Sequence, residues 1–380
     1  MSRKLNKNRI IITLAIILAI ATIILYLVNP IFTGKAIDEG EIKIGSILIL
    51  TGDGASWGIA SKNAIDMAVE EINSKGGINE KKLAVDHQDD ASDPKKSVSA
   101  FNHLKNIKGI NIIIGPTWSH TGLAVASAAK GSNTLIISPS LGVKEFNEGS
   151  KYIFNTWPHD ELLSRNLADL VYKKGHRKVT IIGAEQVWVK DQTKAFKERF
   201  EELGGKIILI QEPNPTDTAP YTEALKIKEI ENQVDAIVST TDGMIVGVLV
   251  AKRLKELGVK LPIYSISIDQ DIINNANGAY EGLEYLTSLT PTKEFKEKYE
   301  ARYNIAVDIG ADSAYDAVIL IAEAIKETNS EDPTVLQEYL NKIETYNGAS
   351  GYLTADGKGG FTKPFLIKKV INGIPVDIET

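Results

Sequence analysis

The sequence predicts an α/β protein built from two similar units, each a parallel sheet with helices on both faces, behind one N-terminal transmembrane helix. Three observations predict it. Apolar strand-like runs and amphipathic helix-like runs alternate almost without interruption from residue 42, the pattern of βα units and parallel sheets. The alternation starts afresh near residue 179 with related loops. An uncharged run of 19 residues, 10–28, follows Arg3, Lys4, Lys7 and Arg9.

That run comes first. At about 1.5 Å per residue it is close to the length needed for a hydrocarbon core of about 30 Å. The flanking cations set its N-terminus in the cytoplasm and the body outside. A cleaved signal peptide is the alternative, with a small-x-small site at Gly34-Lys35-Ala36, but its apolar region is ordinarily shorter. The expectation is a single-pass anchor in the cell membrane, with residues 1–40 as basic tip, span and linker. Residues 41–380 keep 38 basic and 47 acidic side chains, a net charge of −9, which excludes nucleic acid as a partner class. There is no cysteine, so disulfides, thiolate chemistry and a lipidated cysteine are all excluded.

In the first unit the strands are expected at 42–50, 83–87, 110–114 and 134–138, with helices at 61–74, 94–106 and 121–130. Ala64, Ile65, Ala68, Val69 and Ile72 form one apolar stripe that closes on Gly76-Gly77, a helix and its stop. In the second unit, strands at 179–183, 206–210, 235–240 and 262–265 alternate with helices at 190–203, 222–230 and 244–257. The tail reads as helices at 293–304, 312–328 and 333–344, then late strands at 351–353 and 365–370. The expected division is 41–156 with 288–345, and 157–287 with 346–380.

The units echo each other. SILILTGDGASWG and TIIGAEQVWVK both run from strand to tryptophan to helix, and NIIIGPTWSHTG is partnered by AIVSTTDGMIVG. The chain's four tryptophans all fall outside the expected strands and helices: Trp57, Trp118 and Trp188 after strands, Trp157 where the chain passes between units. Ligands of open α/β sheets bind at strand carboxyl ends, and indoles there offer contact area and stacking faces. Trp57 and Trp188 are expected to face each other across the cleft. Ser119 stands at a helix start, where orphan N–H groups and a hydroxyl suit a carboxylate. Pro139 turns the chain outward and exposes the backbone of Ser140 and Gly142.

Other chemistries are weaker. TGDGASWG has the spacing G-x-G-x-x-x-G, not a dinucleotide fingerprint. The acidic run around His87 is explained by helix capping at Asp93-Pro94 without a metal. Ser119 and His120 are sequence neighbours, which makes no catalytic triad. No cofactor and no enzymatic activity are expected.

In order and spacing, TGDGASWG, NAIDMAVEEINSKGGI, DDASDPKKSVSAFNHL, IIGPTWSH, IISPS, YIFNTWPHD and GASGYLTADGKG resemble the type I periplasmic solute-binding proteins of ABC importers, in particular the branched-chain amino acid (Leu/Ile/Val) group. The resemblance covers nearly all of residues 42–380. It implies two Rossmann-like lobes joined by three crossovers, a small polar solute such as an amino acid or related amide or carboxylate, and delivery to ABC transporter permease subunits. By position, Ser119 resembles the serine that holds the solute carboxylate and Ser140 the residue whose main-chain oxygen accepts from an ammonium. Trp57 and Trp188 stand where tyrosines are common. Gly142 departs from the family's threonine. The second lobe's anion is expected from Asp242 or Asp269, each of which could instead cap a helix. A ligand-sensing ectodomain of the same fold, coupled to a separate signalling chain, is the alternative function.

Overall fold

The computed structural model describes residues 40–52, 54–241, 243–288 and 291–378. The expected membrane span and Asp242 lie outside the described residues. Among those described, no helix is long and apolar enough to cross a membrane.

The first sheet contains β1 (Ile42–Leu48), β2 (Leu83–Asp89), β3 (Ile112–Ile114), β4 (Leu135–Ser138) and β5 (Ile153–Asn155), all parallel, in the order β2-β1-β3-β4-β5. Alternation along the strands divides its side chains between two faces. Ile42, Ile44, Ile112, Ile114, Leu135 and Ile137 join helices Ala55–Ser74 and Ala311–Thr328 in one core. Ile47, Ile113 and Ile136 join helices Pro94–Asn102 and Ser119–Ala129 in the other.

The second sheet has seven strands: β6 (Lys178–Ile182), β7 (Lys206–Gln211), β8 (Ala236–Ser239), β9 (Ile263–Ile266), β10 (Glu284–Ser288), β14 (Phe365–Ile371) and β15 (Ile374–Asp377), in the order β15-β14-β10-β9-β8-β6-β7. Strands β6 to β10 are parallel, and β14 and β15 add an antiparallel hairpin at the β10 edge. Helices Asp160–Lys173 and Val187–Glu202 cover one face, and Tyr221–Glu229 and Ile245–Glu256 the other.

A third, small sheet of β11 (Thr345–Gly348), β12 (Gly351–Ala355) and β13 (Phe361–Thr362) precedes the last two strands of the chain. The expected division gave 346–380 to the second unit. Leu353 and Phe361 instead lie in the core of the first sheet, and the chain enters the second sheet only at Phe365. The reason is a buried carboxylate. Asp316, on helix Ala311–Thr328, accepts from the Ala349 and Ser350 amides at 2.7 and 2.8 Å and from the Tyr346 hydroxyl at 3.1 Å. Those bonds pin the hairpin to the first unit's helix.

The chain thus passes between the two large sheets three times, after β5, after β10 and after β13. Lys363, in the third passage, pairs with Asp312 at 3.1 Å, and both side chains are almost wholly buried. Its Nζ lies 5.6 Å from the ring centre of Trp157, in the first passage.

Two departures from the expected elements bear on the site. The helices after β1 and β6 begin earlier than read, at Ala55 and Val187, so Trp57 and Trp188 sit in first helical turns and not in loops. The helix Asp160–Lys173 was not expected at all.

Candidate functional site: a tryptophan-walled cavity

Six segments converge where the carboxyl ends of the first sheet's strands meet the second unit. After β1, Gly54 adopts φ 85° and precedes the helix that carries Trp57. A Cβ on Gly54 would lie 2.4 Å from the Trp118 indole, so this glycine answers both to backbone conformation and to a ring packed on the loop. Trp57 and Trp118 meet edge-to-face, with ring centres 5.8 Å apart at 74°, the geometry that aromatic quadrupoles favour. The ring contact of Trp57 is thus with Trp118, on its own side of the cleft.

After β3, Thr117 and Trp118 lead into helix Ser119–Ala129. Trp118 is its N-cap residue and makes no side-chain bond to the first turn. Ser119 is the first helical residue and is 5% exposed. Thr117 is 1% exposed, and its Oγ1 has no partner; neither does the buried Nε1 of Trp118. Buried polar atoms are ordinarily satisfied, so a donor and a hydroxyl left unmatched beside an uncapped helix start mark a place for a polar ligand. Ser140, beyond β4, donates to the Thr117 carbonyl at 2.9 Å and ties the two loops together.

The second side comes from Trp157 and Asp160, at the first passage, and from Trp188. The Trp188 ring packs against the outer core of the first sheet and also against the Val189 and Val246 cluster of the second unit, so it bridges both. With Ile309, these side chains enclose a cavity of about 50 Å³.

Of the residues singled out from the sequence, Trp57, Trp118, Ser119, Ser140 and Trp188 line this cavity. Gly142 does not line it, but its Cα faces the Asp160 carboxylate. Asp269 is elsewhere: it is the N-cap of helix Gln270–Asn275 and accepts from the Ile272 amide at 2.8 Å. A carboxylate following a strand finds its nearest donors in the helix it precedes, and that local bond decides its fate. Sequence reasoning missed Thr117, Asp160 and Ile309. Asp160 had a signal, since Leu163, Leu167 and Leu170 at helical spacing follow two acidic residues and run to Lys173-Lys174-Gly175.

Two other features have different characters. A larger cavity of about 410 Å³ runs along edge strand β2, lined by Lys43, Asp86, His87 and Lys108, away from the strand carboxyl ends. A Ser46–His87–Asp66 string is present, with Ser46 Oγ 2.6 Å from His87 Nδ1 and His87 Nε2 2.9 Å from Asp66. Ser46 is fully buried within β1, so it offers no accessible nucleophile and the string ties two strands to a helix. Among the described residues no cluster of three or more His, Cys, Asp or Glu side chains is placed to hold a metal ion.

Next to the cavity lies an acidic group under strain. Asp191, on the helix of Trp188, is pushed up to about 6 by burial and by the nearby charges of Glu145 and Glu161. Lys144, from the first unit, pairs with Glu161 at 3.1 Å, which links the two units beside it.

Two sheets, three passages and a cavity between them define a two-lobed α/β solute-binding architecture. A periplasmic binding protein family model matches residues 41–370, and the chain belongs to that family, one of binding proteins rather than enzymes. A Leu/Ile/Val-binding protein of Rhizobium johnstonii is 26% identical over 340 residues, covering 85% of this chain and 90% of that protein. The leucine-binding protein LivK of Thermotoga maritima has the same fold, with a TM-score of 0.77, 23% identity, and coverage of 89% of this chain and 98% of that one. So does an ABC transporter solute-binding protein of Rhodopseudomonas palustris in complex with 3,4-dihydroxybenzoic acid, with a TM-score of 0.77, 23% identity, and coverage of 90% and 96%.

Proposed function

We propose that the chain is an extracytoplasmic receptor that captures a small polar solute between its lobes and delivers it to the permease subunits of an ABC transporter, with the N-terminal segment as its membrane anchor. The observation that carries this reading is the convergence of Trp57, Trp118 and Ser119 from one lobe with Trp188 from the other on one cavity. The lobes are residues 41–156 with 291–362, and 157–288 with 363–378, the hairpin sheet going with the core it joins.

The mechanism follows from that placement. The solute meets the first lobe at Ser119, the orphaned Thr117 hydroxyl and the free end of the helix, where a carboxylate is favoured by N–H groups and helix dipole together. Trp188 completes the enclosure. A ligand that touches both lobes stabilises the closed form by its differential affinity for it. Dissociation constants near ~1 μM correspond to about −8.2 kcal/mol, reasonable for a desolvated site with charge-assisted bonds. The names of the relatives favour an amino acid or an organic acid as solute.

The test is a thermal-shift and tryptophan-emission screen of the full chain against amino acids, small amides and aromatic acids. A solute at 100 times its dissociation constant adds about 2.7 kcal/mol. Ser119→Ala and Trp188→Ala are each expected to weaken it at least about tenfold. Equal affinity of both variants and the parent for that solute refutes this site.

A further inference from the structure

Beside the tryptophan cavity, three carboxylates and one ammonium gather where the two lobes touch. Asp191 and Trp188 stand three residues apart on helix Val187–Glu202 and so share a face. Through Trp188 that face rests on the outer core of the first sheet, and the helix also packs against Ser119–Ala129. Lys144 and Glu145 approach Asp191 from the first lobe, and Glu161 from helix Asp160–Lys173 of the second. The Lys144 Nζ lies 3.1 Å from Glu161 Oε2, an ion pair with one partner in each lobe.

The charges at this corner are uneven. Asp191 Oδ2 is buried and has no hydrogen-bond partner. Other groups on the packed helices are committed elsewhere: Arg165 to Glu202, Arg199 to Asp169 and Glu202, and Lys190 to Glu185 at 3.7 Å. His120, on helix Ser119–Ala129, is bonded to the Ser92 carbonyl at 3.0 Å. Lys194, on the same helix as Asp191, supplies the remaining positive charge. Like charges held in a partly dry space repel more strongly than in water. Bringing the lobes together therefore has an electrostatic cost here, and Lys144 offsets it.

We propose that Lys144 is a positioning residue for solute capture. Its ammonium latches the first lobe to Glu161 and screens Glu145, Glu161 and Asp191 from one another, and a proton on Asp191 strengthens the closure. This rests on the reading that the two lobes close on a solute. In the closed form burial, Glu145 and Glu161 push Asp191 up to about 6, against an ordinary 3.8. Closure thus takes up a proton and is favoured as pH falls through about 6. Were the ordinary value fully restored on opening, the closed-to-open ratio would rise about tenfold between pH 7.5 and 5. Glu161 stays on the same lobe as Asp191 when the lobes part, so about three- to tenfold is expected.

The experiment is pulsed electron paramagnetic resonance on the ligand-free full chain. The chain has no cysteine, so spin labels at Lys95→Cys in the first lobe and Lys197→Cys in the second report only their own separation; both positions are exposed. From pH 7.5 to 5, the population at the separation of the closed structure should grow about three- to tenfold relative to the wider one. Lys144→Met should cut that ratio about two- to fivefold at pH 7.5 and recover most of it at pH 5. Lys144→Arg, which keeps the cation, should match the parent. Asp191→Asn should give the pH 5 ratio at both pH values. A Lys144→Met ratio equal to the parent's at pH 7.5, failure of Lys144→Arg to restore it, or a pH response that survives Asp191→Asn overturns the proposal. So does one unchanged separation in all four proteins. If a solute from the screen binds while the separation stays fixed, the receptor reading stands and only the latch falls. If the labels move as stated and no solute binds, the latch stands and the receptor reading falls.

Discussion

Lys363→Met removes one member of a buried ion pair and leaves the other without compensation. Asp312 and Lys363 lie 3.1 Å apart, with side chains only 6% and 3% exposed. Breaking such a pair from one side costs about 3–5 kcal/mol, because the surviving charge stays desolvated. A body of about 340 residues has an unfolding entropy of roughly 0.7 kcal/mol/K at its midpoint. The expected fall in melting temperature is therefore roughly 4–7 °C. Adding Asp312→Asn removes the stranded charge and should bring the loss back to within about 2 kcal/mol of the parent. Differential scanning calorimetry of parent, both single variants and the double variant measures all four corners of the cycle. If Lys363→Met costs less than about 1 kcal/mol, or the second change restores nothing, the pair is not the desolvated lock described above.

Three further outcomes follow from particular groups. The raised Asp191 retains its proton up to about pH 6 in the native state, whereas the unfolded chain releases it near 3.8. Stability therefore falls as pH rises between about 4 and 6. Asp191→Asn should stabilise the chain at pH 7.5, by on the order of 1 kcal/mol after solvent screening, and change nothing at pH 4 in paired denaturant titrations. Asp356 behaves oppositely. Burial works to raise it, but the bond from His159 and the Lys358 and Gly360 amides hold it down to about 2. Its contribution is present above about pH 4 and lost towards pH 2, so Asp356→Asn should cost about 1–2 kcal/mol at pH 7 and nothing at pH 2. Gly54→Ala puts a Cβ 2.4 Å from the Trp118 ring at a positive φ. It should shift tryptophan emission before any ligand is added and weaken solute binding several-fold, and an unchanged spectrum contradicts the packing.

Much of this was legible in the sequence because the period-2 and period-3.6 patterns are strong here. Ile112, Ile113 and Ile114 already announce a strand buried on both faces, and the Ala64 to Ile72 stripe announces its covering helix. The positions of Trp57, Trp118, Ser119 and Ser140 were readable as a group because each follows a strand. Asp269 misled for the same reason: following a strand is equally the position of a helix cap. Asp160 escaped notice because it belongs to a passage between units, where the alternation that organises the rest is interrupted. Gly142 reads as a missing threonine until the fold brings the carboxylate of Asp160 against its Cα. That relation is one of space, and no spacing rule contains it.

The three passages between sheets also set an order of events in folding. Strands β6 to β10 of the second lobe are contiguous in the chain, whereas the first lobe's inner core waits for helix Ala311–Thr328 and the hairpin after it. The Tyr315 hydroxyl reaches Glu71 across 244 residues of sequence, and the Tyr299 hydroxyl is bonded by Asn63 across 236. Contacts of that separation form late, since the entropy of closing the loop precedes any gain from packing. During vectorial passage across a membrane, N-terminus first, the outer core of the first sheet lies within residues 47–153, whereas its inner core waits until the last quarter of the chain has emerged. The connectivity that joins the two sheets thus leaves one face of the first sheet to be covered last.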